Sequence, residues 1–148
     1  MLSDVNHSDI LETLLVSSTR LVRIAAQSTG SRTPSAIWRT LGILDVDGPM
    51  RIGELATASR VTQPGMTRVL VTMVEEELVS RIADVDDSRA WLIRITPKGH
   101  DALLGWRRQI AEALGPWFAD LDTGEWAILE RAVQLMSDRT ASDAAVSA

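Results

Sequence analysis

The sequence contains no cysteine, and this absence excludes disulfide bonds, thiol redox sensing, cysteine nucleophiles and thiolate metal sites. Its two histidines, His7 and His100, lie in different segments and therefore do not suggest a zinc or iron site. No apolar run approaches the ~18 residues that a membrane-spanning helix needs, and the N-terminal segment is acidic. We therefore predict a soluble, cytoplasmic protein that has no metal, no other cofactor and no membrane partner.

Basic residues are fewer than acidic ones, 15 against 20, which gives a formal net charge of −5. This balance argues against a nucleic-acid partner, because contacts with phosphates favour lysine and arginine. Between Met50 and Gly99, however, basic and acidic side chains are equal in number, so the surplus acid lies outside that segment. Net charge is therefore a weak argument for or against binding to DNA.

The first half of the chain has apolar residues at spacings of three and four, as in helices with one buried face. They predict a first helix from Ile10 to Ala25, a second from Ser35 to Val46 and a third around Ile52 to Ala56. A first helix this apolar needs a surface to cover it, either within its own subunit or on a second copy of the chain. We favour the second copy and predict a homodimer.

The fourth helix begins with residues that leave its first turn exposed. Thr62 is suited to cap this turn, and Pro64 is tolerated there because first-turn amides have no acceptor within the helix. From Met66 to Val74, apolar side chains recur at helical spacing and are predicted to face the core. The residues around the exposed end are Gln63, Pro64, Gly65, Thr67 and Arg68. Such an end suits a phosphate and the edge of a DNA major groove.

Two strands with a polar tip are predicted after the fourth helix. Trp91, Ile93 and Ile95 occupy alternate positions, and this period of two predicts a strand with all three side chains in the core. The preceding segment VSRIA is its predicted partner, and ADVDDSRA between them is the hairpin tip. At the tip we expect the guanidinium of Arg89 to point outward, oriented by a charge-assisted hydrogen bond to Asp87.

Two further helices are predicted after the hairpin. Thr96 precedes a proline and starts the fifth helix, and the segment from Gly115 to Trp117, which also contains a proline, is expected to break or kink it. Asp122 and Glu125 lie three residues apart and predict a capping box at the start of a sixth helix. The small and polar residues 141–148 are expected to form a flexible tail.

The five tryptophans have two interpretations. Their helical and strand spacing favours packing in the core, whereas aromatic rings also line pockets for aromatic ligands. We expect core packing for most of them and retain Trp38 and Trp106 as candidate residues of a ligand pocket.

Three segments together resemble the MarR family of bacterial transcriptional regulators: GELATASRVTQPGMTRVLVTMVEEELVSR, DVDDSRA and IRITPKG. With the flanking helices, the resemblance covers nearly all of the chain. It implies a mainly α fold with a small β-hairpin wing, formed by a winged helix-turn-helix lobe and a helical dimerisation region. Within a single domain 1–148, the implied parts are the lobe (35–99), the dimerisation region (1–34 and 100–140) and the flexible tail (141–148).

The resemblance also implies a function, that of a dimeric, sequence-specific DNA-binding transcriptional regulator rather than an enzyme. Such a protein represses promoters or operators of pseudo-palindromic double-stranded DNA, and a small aromatic or phenolic effector relieves the repression. Its recognition helix would run from Thr62 to about Leu78. The implied DNA-contacting positions are Arg51, Thr62, Gln63, Pro64, Thr67, Arg68, Asp87, Ser88 and Arg89.

Three residues depart from the pattern of the family. Glu77 occupies the position of a usual glycine, which predicts an extended or differently capped helix end. Arg51 replaces a small hydroxyl residue that often caps the third helix, and we expect it to contact a phosphate instead. Ser88 replaces a common basic residue and makes the wing tip less positive.

Two other classes of function fit the sequence less well. Serine, histidine and aspartate are present, but no nucleophile elbow, phosphate loop or metal-ligand spacing accompanies them, so we do not expect an enzyme. The main alternative is a winged-helix dimer that binds a protein or a small molecule without binding DNA. The neutral charge of the lobe and Ser88 at the wing tip favour this alternative.

Overall fold

The computed structural model describes residues 6–144, with side chains described for residues 6–141. Residues 6–144 form α-helices and a small antiparallel sheet, which confirms the predicted fold class. The elements in chain order are α1 (His7–Ser28), α2 (Ser35–Asp47), β1 (Met50–Arg51), α3 (Ile52–Ala58), α4 (Gln63–Glu75), β2 (Val79–Ala83), β3 (Trp91–Ile95), α5 (Pro97–Leu114), a 3-10 helix (Gly115–Phe118) and α6 (Thr123–Ala144). None of these described helices is both long enough and apolar enough to cross a membrane.

The chain divides into two compact units between Leu114 and Gly115. The first unit contains α1 to α5 and the sheet, and its core includes the fully buried Leu41 of α2 and Leu103 of α5. The first half of α5 is therefore part of the core that supports the helix-turn-helix. The functional division predicted after Gly99 stays a prediction, and it does not coincide with the division between the compact units.

The sheet has three strands in the order β1-β3-β2, one strand more than the predicted hairpin. β2 and β3 are antiparallel, with Ala83 opposite Trp91 at the end nearest the tip. On the other edge of β3, Met50 of β1 pairs with Ile93. A two-residue strand has no periodicity of its own, because it exists only through its pairing with a distant segment.

Burial along β3 follows the predicted alternation only near the core. Ile93 is buried and Ile95 is half-buried, but Trp91 is 59% exposed, so the prediction that Trp91 packs in the core is wrong. Ala83, opposite Trp91, is exposed as well. The period of a strand fixes the face on which a side chain lies, whereas the distance from the packed helices decides whether that face is covered.

The end of α4 has Glu77 in the left-handed conformation, with φ 59°. The Glu77 amide donates to the Val74 carbonyl at 3.0 Å and the Leu78 amide to the Met73 carbonyl at 2.8 Å, a Schellman pattern that usually has glycine at this position. The helix ends at Glu75 instead of about Leu78, so it is differently capped rather than extended. Left-handed backbone costs a residue with a Cβ about 1 kcal/mol.

The start of α6 is confirmed, and its end lies beyond the predicted one. Asp122 and Glu125 exchange hydrogen bonds of 3.0 and 2.8 Å between side chain and main chain, which is the predicted capping box. The helix continues through Ala144, so residues 141–144 of the expected tail are helical. Residues 145–148 of that tail lie outside the described residues.

Candidate nucleic-acid interface

The exposed start of α4 brings together four of the residues predicted to contact DNA. Gln63, Pro64, Thr67 and Arg68 are all exposed and line one shallow depression on the surface. The Thr67 hydroxyl donates to the Gln63 carbonyl at 3.0 Å, and Nε of Arg68 donates to the Pro64 carbonyl at 3.5 Å. Residues one turn apart therefore present an amide, a hydroxyl and a guanidinium on a single face.

Thr62 caps this helix start as predicted. Its Oγ1 accepts a hydrogen bond from the Gly65 amide at 3.2 Å. Pro64 has no amide hydrogen, so this end offers fewer main-chain donors than a helix N-terminus usually does. Side chains, more than main-chain amides, must therefore supply its contacts with a phosphate or a base.

The turn between α3 and α4 fixes the direction of α4. Arg60 has φ 55°, and the amide of Val61 donates to the Ala56 carbonyl at 3.0 Å. From α2, Nη1 of Arg39 donates to the Ser59 carbonyl at 3.2 Å. Val61 is half-buried and packs against the core, as predicted for the corner of a helix-turn-helix.

The wing tip is held by an ion pair that the sequence pattern did not indicate. Oδ2 of Asp84, a residue 8% exposed, accepts hydrogen bonds from Nε and Nη2 of Arg51 at 2.8 and 2.7 Å. Its Oδ1 accepts one from the Asp86 amide at 2.9 Å. The bond from the Asp86 amide, followed by that from Arg51, lowers the pKa of Asp84, and the bond to Asp84 raises the pKa of Arg51. The sequence gives no local signal for this pair, because 33 positions separate the two residues.

Asp87 organises the wing tip through the main chain. Its Oδ1 accepts a hydrogen bond from the Arg89 amide at 3.0 Å, and its carbonyl accepts one from the Ala90 amide at 2.9 Å. This bond to the Arg89 amide replaces the predicted bond to the Arg89 guanidinium. Oδ2 of Asp87 lies 3.9 Å from Nη2 of Arg51. Ser88 and Arg89 remain exposed at the tip, where a partner would reach them.

Arg51 was predicted to contact a phosphate, and the structure turns its side chain toward the wing acids. Its main-chain amide donates to Oε2 of Glu54 at 2.9 Å. This bond, from the residue before α3 to a glutamate in its first turn, is one of the two hydrogen bonds of a capping box. The side chain of Arg51 is 45% exposed, so its contact with DNA stays a prediction.

Trp38 on α2 and Trp106 on α5, the two candidate pocket residues, stack against each other. Their ring centroids are 5.2 Å apart and their planes differ by 7°. Both side chains are half-buried, and Nε1 of Trp38 is buried without a hydrogen-bond acceptor in the described part of the chain. The structure thus brings the two residues together as a packed aromatic pair with one unused donor.

Comparisons with known sequences match the part of the chain that contains the start of α4. The profile of the MarR family matches residues 35–91, which include the helix-turn-helix and most of the wing. An uncharacterized HTH-type transcriptional regulator of Mycobacterium bovis is 33% identical over 90 residues, which are 61% of this chain and 63% of that protein. The match therefore spans less than two thirds of the length of this curated relative.

Solved structures share the fold over most of the chain. A protein of Mycobacterium tuberculosis has a TM-score of 0.67 and 24% identity, with 93% of this chain and 97% of that chain covered. BpsR of Bordetella bronchiseptica, whose DNA binding is regulated by 6-hydroxynicotinic acid, has a TM-score of 0.56 and 19% identity over 93% of this chain and 97% of its own. Identity at this level shows a common fold. Together with the profile match over residues 35–91, these likenesses show that the chain is similar to the MarR family in its helix-turn-helix region and in its fold.

Proposed function

We propose that the chain is a homodimeric, sequence-specific DNA-binding transcriptional regulator that represses promoters. The observation that carries the proposal is the exposed start of α4, where Gln63, Thr67 and Arg68 share one face. A glutamine amide can form two hydrogen bonds with adenine in the major groove, and an arginine can bind guanine or a phosphate. The family profile and the regulator of Mycobacterium bovis support the same function.

The wing supplies a second predicted contact with DNA. Arg89 is exposed on a tip whose turn is closed by Asp87, and an arginine presented in this way suits a narrow minor groove. One helix and one wing from each copy would then bind one half-site of a pseudo-palindrome. We expect the two half-sites to lie ~34 to 36 Å apart, one turn of the duplex.

A homodimer is supported by large apolar side chains that are exposed on α1 and, separately, on α6. On α1, Leu11 and Leu15 are exposed, and Leu15 is exposed to 69%. On α6, Trp126 is exposed and Ile128 is exposed to 72%. We expect a second copy to cover these surfaces, because large apolar patches mark sites of association. Sedimentation velocity at micromolar concentration should show a dimer, and a folded monomer would contradict this part of the proposal.

We also propose that a small aromatic or phenolic ligand relieves the repression. The unused Nε1 donor of Trp38 beside Trp106 supports an aromatic ligand with an acceptor, because buried donors usually have a partner. A suitable probe is 6-hydroxynicotinic acid, the compound that regulates BpsR. It should quench tryptophan fluorescence in the wild type and bind more weakly to Trp38→Phe, which keeps an aromatic ring but removes the donor. Equal binding to both proteins would contradict this assignment of the pocket.

DNA binding is tested by fluorescence anisotropy with the labelled upstream region of the gene. Arg89→Ala should weaken binding about tenfold, the size of one charged contact, and binding should weaken as salt is raised. The matched control is Arg32→Ala, which removes the same charge from the loop before α2 and should leave affinity unchanged. An absence of salt-dependent binding would favour the alternative, a winged-helix dimer that binds a protein or a small molecule without DNA.

A further inference from the structure

Three aspartates of the wing tip, Asp84, Asp86 and Asp87, place negative charge where DNA phosphates would approach. Their surroundings differ. Asp84 is nearly buried and bonded to Arg51, whereas Asp86 is exposed and its carboxylate accepts no hydrogen bond from the described residues. Asp87 accepts a hydrogen bond from the Arg89 amide, and its other carboxylate oxygen lies 3.9 Å from Nη2 of Arg51. Two of these three acids, Asp84 and Asp86, therefore have the same charge but different surroundings: Asp84 is bonded to Arg51, whereas Asp86 faces solvent.

Arg51 is connected to three parts of the lobe. Its main chain pairs with Leu92 of β3, and its amide donates to Glu54 in the first turn of α3. Its side chain reaches the hairpin tip, where two nitrogens lie 2.8 and 2.7 Å from one oxygen of Asp84. Charge-assisted hydrogen bonds of this length are among the strong ones in proteins. Arg51 thus joins the helix-turn-helix to the tip of the wing.

We propose that Arg51 is a positioning residue for DNA binding: by holding Asp84 it fixes the wing tip, and with it Arg89, relative to the helix-turn-helix. The proposal rests on the proposed DNA binding and gives Arg51 a role other than a phosphate contact. Two donor nitrogens of Arg51 are already bonded to Asp84, and Oδ2 of Asp87 lies 3.9 Å from one of them. A phosphate would have to compete with two carboxylates for this guanidinium.

Asparagine substitutions at two of the aspartates separate positioning from charge. Asp84→Asn and Asp86→Asn remove the same negative charge from the same tip, so charge alone would make both strengthen DNA binding. If Asp84 positions the wing tip, the two variants should instead differ in their affinity for DNA. Asp84→Asn should weaken binding about three- to tenfold, because a loosened tip must be ordered when DNA binds. Asp86→Asn should leave binding unchanged or slightly stronger.

Arg51→Ala provides the second half of a double-mutant cycle. It should weaken binding as much as Asp84→Asn does, and the double variant should lose no more than either single variant, because both changes break one interaction. Additive losses would mean that Arg51 contacts DNA itself and would overturn the proposal. Equal effects of Asp84→Asn and Asp86→Asn would overturn it as well.

Amide hydrogen exchange on the DNA-free protein gives a readout that does not depend on DNA. The amides of Asp86 and Arg89, bonded to the carboxylates of Asp84 and Asp87, should exchange faster in Arg51→Ala. They should be little changed in Asp86→Asn. Unchanged exchange in Arg51→Ala would overturn the proposal, whatever the DNA affinities. A wild type that binds no DNA would overturn the proposed function itself, so the two failures are distinguishable.

Discussion

The start of α4 and the wing are both predicted to contact DNA, but they are built in different ways. The start of α4 is held by bonds that each span three or four residues, because Thr62 caps Gly65 while Thr67 and Arg68 bond to carbonyls four residues earlier. Its geometry therefore depends on neighbours along the chain and on the core beneath the helix.

The wing hairpin is fixed at its base and at its tip by contacts between distant segments. At the base, the Thr96 hydroxyl donates to the Glu77 carbonyl at 2.6 Å, across 19 positions of sequence. At the tip, Arg51 pairs with Asp84 across 33 positions. Changes in β1 or α5 are therefore expected to move the wing without disturbing the start of α4.

The largest effect is expected from breaking the base of the wing at Gly99. A Cβ at Gly99 would overlap the carbonyl oxygen of Leu78, so the main chain would have to shift. Gly99→Ala should lower the free energy of unfolding by about 1–3 kcal/mol and speed amide exchange in the wing. Unfolding in urea measures the first effect.

The matched control for this change lies in the same helix. At Gly105 a Cβ meets nothing within 4 Å, so Gly105→Ala should raise the free energy of unfolding by roughly 0.5–1 kcal/mol. If both alanine variants were stabilised, close packing at the base of the wing would be disproved.

A smaller effect is expected from breaking the start of α4. Thr62→Ala removes the cap on Gly65 and should cost about 1 kcal/mol of unfolding free energy, measured in urea. Thr67→Ala, whose hydroxyl bonds to a carbonyl within the same helix, should cost less. Wing amides should exchange at the wild-type rate in both variants. Faster exchange in the wing of Thr62→Ala would show that the two regions are not independent.

The junction between α4 and the wing should be improved by glycine. Glu77→Gly relieves the left-handed backbone and should raise the free energy of unfolding by about 0.5–1 kcal/mol. The lost ion pair with Lys98, 3.2 Å long and exposed, contributes little. The control is Glu76→Gly, at φ −82°, which should not stabilise the protein. A thermal midpoint that rises equally in both variants would contradict the explanation by backbone strain.

The smallest effect is expected at the tip of the wing as pH falls. The Asp86 amide and Arg51 lower the pKa of Asp84 in the folded protein, so ionised Asp84 contributes stability above the ordinary aspartate pKa, and this stability is lost as pH falls through the folded value. Below about pH 4, Asp84→Asn should therefore lose less unfolding free energy than the wild type does. Asp86→Asn should follow the wild type. Parallel acid dependence in all three proteins would show that the hydrogen bonds of ionised Asp84 to Arg51 and to the Asp86 amide do not stabilise the fold.

Sequence patterns predicted the candidate site better on α4 than on the wing. The Thr62 cap and the exposed residues from Gln63 to Arg68 follow from spacing within a few positions. On the wing, the pattern predicts the two strands, but it also predicts a buried Trp91, which is exposed, and gives no signal for the bond of Asp84 to Arg51. The exposure of Trp91 and the bond of Asp84 both depend on where the hairpin lies relative to the rest of the lobe. A local sequence pattern does not contain this information.

The helices and the two hairpin strands follow from local patterns in the sequence, because capping and periodicity depend on residues within a few positions of one another. The sequence also carried the family resemblance that the profile match confirms. Three features depend on the folded arrangement instead: the third strand, the pairing of Arg51 with Asp84 and the stacking of Trp38 on Trp106. Each of these joins segments that are far apart along the chain. They form only after the core has brought those segments together.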